Sequence, residues 1–210
     1  MRLSPLALTG LFMIGAGTAS AAPVAIGLVD FSGSAVVIDF NAIPDTAAIN
    51  SQFSSSGVAF GGALVGLTNP GDTHLFNGST IASNWIYRPG AGHQGATWSA
   101  TFETTQNIVG FEVETQADDP VTIEAFSGAT SLGSVTFPNP NGLTVDFIGI
   151  RDFAGFDRIS VTTAANYNGF FAMDNFRFEQ QGNSVPVPGT LVLAGLGMMG
   201  LGLSARRAKR

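Results

Sequence analysis

The chain has 210 residues, with 27 Gly, no Cys, 45% hydrophobic residues and only 11% charged ones. High Gly disfavours a helical protein, because Gly is costly inside helices, and the lack of Cys excludes a disulfide framework, thiolate chemistry and Cys-ligated zinc. All 15 carboxylates lie between Asp30 and Glu179, against four arginines there (Arg88, Arg151, Arg158, Arg177), so this region carries a net charge of −11, which repels nucleic acid and anionic lipid and favours cations.

Residues 1–21 read as a secretory signal peptide. Arg2 gives a positive start, 6–16 is almost wholly apolar, and Ala19-Ser20-Ala21 offers the small residues that signal peptidase requires, with cleavage after Ala21. The apolar run is too short to serve comfortably as a membrane anchor.

Residues 22–182 form one domain in this reading. Strand-like runs are expected at 35–40, 58–60, 63–67, 96–102, 108–114, 121–126, 132–137, 143–150, 156–162 and 170–179. Turn chemistry separates them at Asp118-Asp119-Pro120, Ser127-Gly128, 138–142 and Asn168-Gly169. Many short strands at regular spacing predict an all-β fold, an antiparallel β-sandwich of jelly-roll type. The Phe residues at alternating positions are expected to fill its core. No fixed repeat period supports a solenoid.

Candidate sites follow in chain order. Asp39 and Asn41 end the first long run. The Gly-rich stretch 83–95 holds Trp85, Tyr87, Arg88 and His93; flat rings beside hydrogen-bonding groups suit stacking against a sugar, although the rings would equally anchor the loop to the core. His74 and His93, with Asp72, match no metal spacing. Glu112 and Glu114 alternate on a strand as an ordinary solvated face, and Asp118-Asp119 reads as a turn rather than as a pair of catalytic carboxylates. There is no nucleophile elbow and no phosphate loop, so the chain is read as non-enzymatic. In the last strand, Phe170, Ala172, Asp174, Phe176 and Phe178 share one face, expected to be inner. A carboxylate there must be paired, hydrogen-bonded or metal-bound. If the first and last strands pair, Asp39 and Asn41 would reach Asp174 and a structural Ca2+ would suit their oxygens.

The end of the chain reads Pro186-Val187-Pro188-Gly189-Thr190, an uncharged Gly/Leu-rich stretch at 191–203, then Arg206, Arg207, Lys209 and Arg210. Residues 185–205 suffice to cross a bilayer as a helix, read here as 190–205, with the basic cluster held in the cytoplasm. Motif, apolar helix and basic end together resemble the PEP-CTERM sorting signal of Gram-negative bacteria, covering 183–210. Val187 stands where that family usually carries Glu. The resemblance implies a transient membrane anchor processed by exosortase, and delivery to the cell surface or beyond. Ile38-Asp39-Phe40, Ser56-Gly57-Val58-Ala59-Phe60, 156–161 and 172–176 look like the β-sandwich ectodomains that often accompany this tail, which are similar to carbohydrate-binding jelly rolls. The resulting expectation is an exported surface or matrix protein with a structural or adhesive role alongside exopolysaccharide. A carbohydrate-binding module using the 85–93 loop is the alternative, and a glycoside hydrolase or other secreted hydrolase ranks third.

Overall fold

The computed structural model describes residues 22–62, 64–68, 80–83, 97–115, 120–138, 145–163 and 171–180. They hold ten strands: β1 (Val24–Ile26), β2 (Val36–Ile38), β3 (Val58–Gly62), β4 (Val65–Thr68), β5 (Thr80–Ser83), β6 (Thr97–Thr115), β7 (Val121–Ser127), β8 (Thr130–Phe137), β9 (Asp146–Thr163) and β10 (Phe171–Glu179). Single 3-10 turns occupy Leu28–Asp30 and Ser54–Ser56. All strand pairings are antiparallel. The all-β, antiparallel organisation expected from the sequence is therefore present. β1 and β5, with three and four residues, fall outside the expected runs; they are too short for a period of two to register.

Two strands are longer than the sequence suggests. The runs at 96–102 and 108–114 form one strand, β6, of 19 residues, and those at 143–150 and 156–162 merge into β9, of 18 residues. The β6–β9 ladder breaks register between Thr101 and Ile108. On either side of that break the neighbours differ. The first half of β6 lies between β3 and the second half of β9, which continues to β7 and β8. The second half of β6 lies between β10 and the first half of β9, which carries β1. β10 in turn pairs with β2 and β5, and β5 with β4.

Strands that pass from one layer to another at a bend make a corner, and ring contacts show that this happens. Trp98 and Phe111 would be about 43 Å apart on a straight strand. Their ring centroids are 5.4 Å apart. Phe60 of β3 meets Phe176 of β10 at 5.1 Å, and Phe102 meets Phe178 at 5.1 Å. The sheet is thus folded over on itself, with an aromatic and aliphatic core between its halves. That core runs from Ile38 to Phe178 and includes Phe40, Ile49, Val109, Ile123, Ile150 and Phe171. Burying side chains of this size contributes roughly 1.5–3 kcal/mol each.

The corner has its own chemistry. Gly155 has φ +83°, and a Cβ there would lie 2.4 Å from Thr105 Cγ2, so both conformation and space require Gly. Where the ladder is broken, backbone carbonyls need other donors. The buried Asn107 supplies one: its Nδ2 donates to the carbonyls of Asp152 (3.1 Å) and Phe153 (3.4 Å).

Candidate functional site

Asp174 is buried, as expected, but on the opposite face. β10 pairs Asp174 with Glu112 and Arg177 with Gly110, so three steps along β10 match two along β6. The extra residue is Asn175, whose φ of +49° is left-handed. A one-residue bulge exchanges the two faces of a strand beyond it. Phe176 and Phe178 face the core, and so do Phe171 and Met173. Asp174 instead shares the outer side with Glu112 across the ladder. The inner alignment of Ala172, Asp174, Phe176 and Phe178 expected from a strict period of two is therefore corrected. A second correction concerns the carboxylates of β6: Glu114 is 3% exposed and Glu112 half-buried, so this is not a freely solvated face.

The bulge also organises the local bonds. The Asn175 backbone N–H donates to Asp174 Oδ1 (2.7 Å), and its Nδ2 donates to Glu112 Oε2 (2.8 Å). Burial pushes the Asp174 carboxyl up to about 6, reinforced by the charges of Glu112 and Asp39; the Asn175 N–H and Arg177 oppose the shift. β2 does pair with β10, opposing Ile38 to Phe176, and this brings Asp39 into the field of Asp174. Asn41 plays a local part, its backbone N–H donating to Asp39 Oδ1 (3.2 Å). Among the described residues no three His, Asp or Glu side chains converge to hold a metal ion. The Asp174 carboxyl thus holds a proton more readily than an isolated aspartate does.

The other concentration of polar groups lies at the corner end. Residues 27–35 join β1, on the β9 edge, to β2, on the β10 edge, and pass over the outer side of the β9–β6–β10 ladder. Arg151 donates through one Nη to the Asp30 carbonyl (3.2 Å) and lies 3.8 Å from its carboxylate. Phe31 packs edge-on against Phe147. Ser32 donates its N–H to Glu179 Oε1 (3.1 Å) and Oε2 (3.2 Å), and its hydroxyl to Oε2 (2.6 Å). Beside this clamp opens a cleft of about 260 Å³, lined by Ser34, Ser56, Thr104, Gln106, Glu179 and Gln180 among others. Nothing in the sequence separates these residues from ordinary loop polars. Deeper in the corner, Asp152 is 1% exposed; its Oδ1 accepts from the Ala154 N–H (2.7 Å), and its Oδ2 is buried without a hydrogen-bond partner.

Trp85, Tyr87, Arg88 and His93 lie outside the described residues, as do Pro186, Val187, Pro188, Gly189, Arg206, Arg207, Lys209 and Arg210, the signal segment 1–21 and the expected helix 190–205. The strands that flank the 84–96 segment are described. Ser83 pairs with Ala172 and Thr97 with Thr162, both at the end of the sandwich remote from the corner.

Residues 184–207 match the family model of the PEP-CTERM protein-sorting motif. The C-terminal segment is therefore a PEP-CTERM sorting motif, which implies an exported protein processed by exosortase. No curated protein matches the chain. Among solved structures, the chain is similar to the K2 cleaved adhesin domain of Lys-gingipain (13% identity, TM-score 0.47, covering 70% of this chain and 100% of that one). It is also similar to CsCBM6-3 from Clostridium stercorarium in complex with cellobiose (17%, TM-score 0.35, 70% and 94%). A third is a family 29 carbohydrate-binding module complexed with mannohexaose (15%, TM-score 0.40, 69% and 90%). Likenesses this distant assign no ligand to the chain.

Proposed function

We propose that this chain is an exported, non-enzymatic protein of the Gram-negative cell surface or extracellular matrix. A jelly-roll-like domain spanning 22–182 is carried there by a cleavable signal and a C-terminal anchor, and acts structurally or adhesively alongside exopolysaccharide. The observation that carries the reading is the sorting motif at 184–207. The acidic, Cys-free sandwich fits it: a domain that works outside the cytoplasm without disulfides is held by its core. Val187 in place of the usual Glu makes cleavage the step to test. In cells containing an exosortase, wild type should yield a processed form lacking 184–210 at the surface or in the medium. Replacing Pro186 and Pro188 by Ala should leave the longer form in the membrane. Equal processing of both would sink the sorting role of the motif.

Carbohydrate binding through the 85–93 loop is the second reading. The flanks of 84–96 favour it, since the paired Ser83 and Thr97 start and end that segment at the end of the sandwich away from the tail. Polysaccharide pull-down with wild type, Trp85→Ala and Tyr87→Ala tests it. Retention by wild type that both variants lose supports a binding module; no retention on any glycan removes it.

A further inference from the structure

Among the described residues, the exposed large hydrophobic side chains are Val24, Leu28, Val29, Val36, Val37 and Phe153. Val24, Leu28, Val29 and Phe153 gather around Arg151 on the β9 side, while Val36 and Val37 lie on the opposite edge of the ladder, in β2 beside β10. Arg151, Ile108 and Glu179 form one row across β9, β6 and β10, next to the corner. Val24 is the register partner of Arg151, and Val36 and Val37 are those of Phe178 and Arg177. Leu28 and Val29 form the 3-10 turn that Asp30 ties to Arg151, and the Arg151 guanidinium sits 5.9 Å from the centre of the Phe153 ring. Single exposed apolar residues are ordinary, whereas a cluster of them at one place marks a contact surface. Val29, at the tip, is 95% exposed, and Phe153 is 42% exposed.

The same end releases the chain toward its sorting motif. β10 finishes at Glu179, and the motif begins at residue 184. From Gln180 to Val185, where an apolar span can begin, the chain reaches at most about 18 Å. The headgroup layer takes up roughly 6–8 Å of that. The corner end of the sandwich is therefore tethered within about 10–12 Å of the headgroup surface for as long as a span beginning at Val185 is inserted.

We propose that this end docks on the bilayer interface, with Leu28, Val29 and Phe153 entering the headgroup layer, and that exosortase meets its substrate in this lipid-seated pose. The proposal rests on the reading of the tail as an inserted span. A domain of net charge −11 would be repelled by an anionic surface, but beside the apolar side chains Asp30 is offset by Arg151, while Glu179 keeps its charge and is held by hydrogen bonds from Ser32. Glu103 is an exposed carboxylate across the corner, so the seat is the strap from Leu28 to Ser34 and the Phe153 side chain rather than the whole end. An apolar tip of this kind enters only the interface.

The absence of Cys makes the test direct. Full chain lacking the signal, reconstituted in phosphatidylethanolamine/phosphatidylglycerol vesicles, is labelled with an environment-sensitive fluorophore at Val29→Cys, Phe153→Cys, Thr162→Cys or Leu196→Cys. Spin-labelled lipid should quench positions 29 and 153 at least about twofold more than position 162, at the remote end of the sandwich. Position 196 should be quenched most. Equal quenching at 29, 153 and 162, with 196 strongly quenched, overturns the lipid seat and leaves the anchor standing. An unquenched 196 overturns the anchor, and the seat with it.

Discussion

Glu112 and Asp174 face each other directly across the β6–β10 ladder, and like charges so placed destabilise a sheet. Asp174 carries most of the burden because it is the more deeply buried of the two. Its folded value of about 6 lies above the ordinary 3.8, so the folded state takes up a proton more readily than the unfolded chain. As far as this group is concerned, stability is greatest below about pH 4, falls as the pH rises from 4 to 6, and carries the full penalty above 6. Asp174→Asn keeps an oxygen for the Asn175 N–H and removes the charge. It should gain about 1–3 kcal/mol at pH 7.5, a melting temperature higher by roughly 3–8 °C. At pH 4 the two proteins should melt together. Thermal melts from pH 4 to 8 check this; a variant that melts below wild type at pH 7.5 would show that the carboxylate is compensated there.

The bulge that exposes this pair to one another is a property of the strand rather than of one side chain. Asn175 sits at φ +49° in the middle of β10, a conformation Asn and Gly tolerate and β-branched residues do not. Asn175→Gly should keep the bulge, losing only the bond to Glu112 and costing about 0.5–1.5 kcal/mol. Asn175→Val should cost at least about 1–2 kcal/mol more in urea unfolding. Equal losses would mean that β10 can re-register without the bulge. The same residue shows where sequence reading stops. In β7 the buried Val121, Ile123 and Ala125 alternate without interruption, and the period of two assigns their face correctly. In β10 that period, followed back from Phe178 and Phe176, puts Asp174 inside, because periodicity cannot see an inserted residue. A mid-strand Asn is the available signal, and a weak one. The β6 corner leaves still less trace. Residues 103–107 (Glu-Thr-Thr-Gln-Asn) hold neither Gly nor Pro, so two half-strands look like two strands. The Gly that the turn does need, Gly155, lies on the partner strand. The clamp from Ser32 to Glu179 joins residues 147 positions apart, a pairing that only the folded topology creates.

The molecule as a whole has two unlike ends. At the corner, β6 and β9 pass between the layers, the strap from Leu28 to Ser34 is tied down, and the chain leaves for its sorting motif. At the other end the strands open toward the segments that join them, the aromatic 84–96 stretch included. The core lies between and is complete within Ile38 to Phe178, with the last outer bonds made by Glu179. The core and the outer bonds of the described residues are made by residues that precede the motif at 184–207. Exosortase processing is therefore expected to remove an address and leave these contacts in place. A chain of residues 22–183 should melt cooperatively within about 2 °C of the full-length protein in detergent, a stability difference below roughly 1 kcal/mol. It should also keep the same near-ultraviolet circular dichroism from Trp98 and its neighbouring rings. A shorter chain, 22–177, should behave differently. It lacks Phe178, which packs at a tilt against Phe102 and Phe176, and Glu179, which fastens the strap, and losing a core Phe alone costs about 3–5 kcal/mol. Measuring both truncations against the full chain locates the boundary between fold and address. If 22–183 were already unfolded, the tail would be part of the domain, and its removal at the surface could not leave a working protein behind.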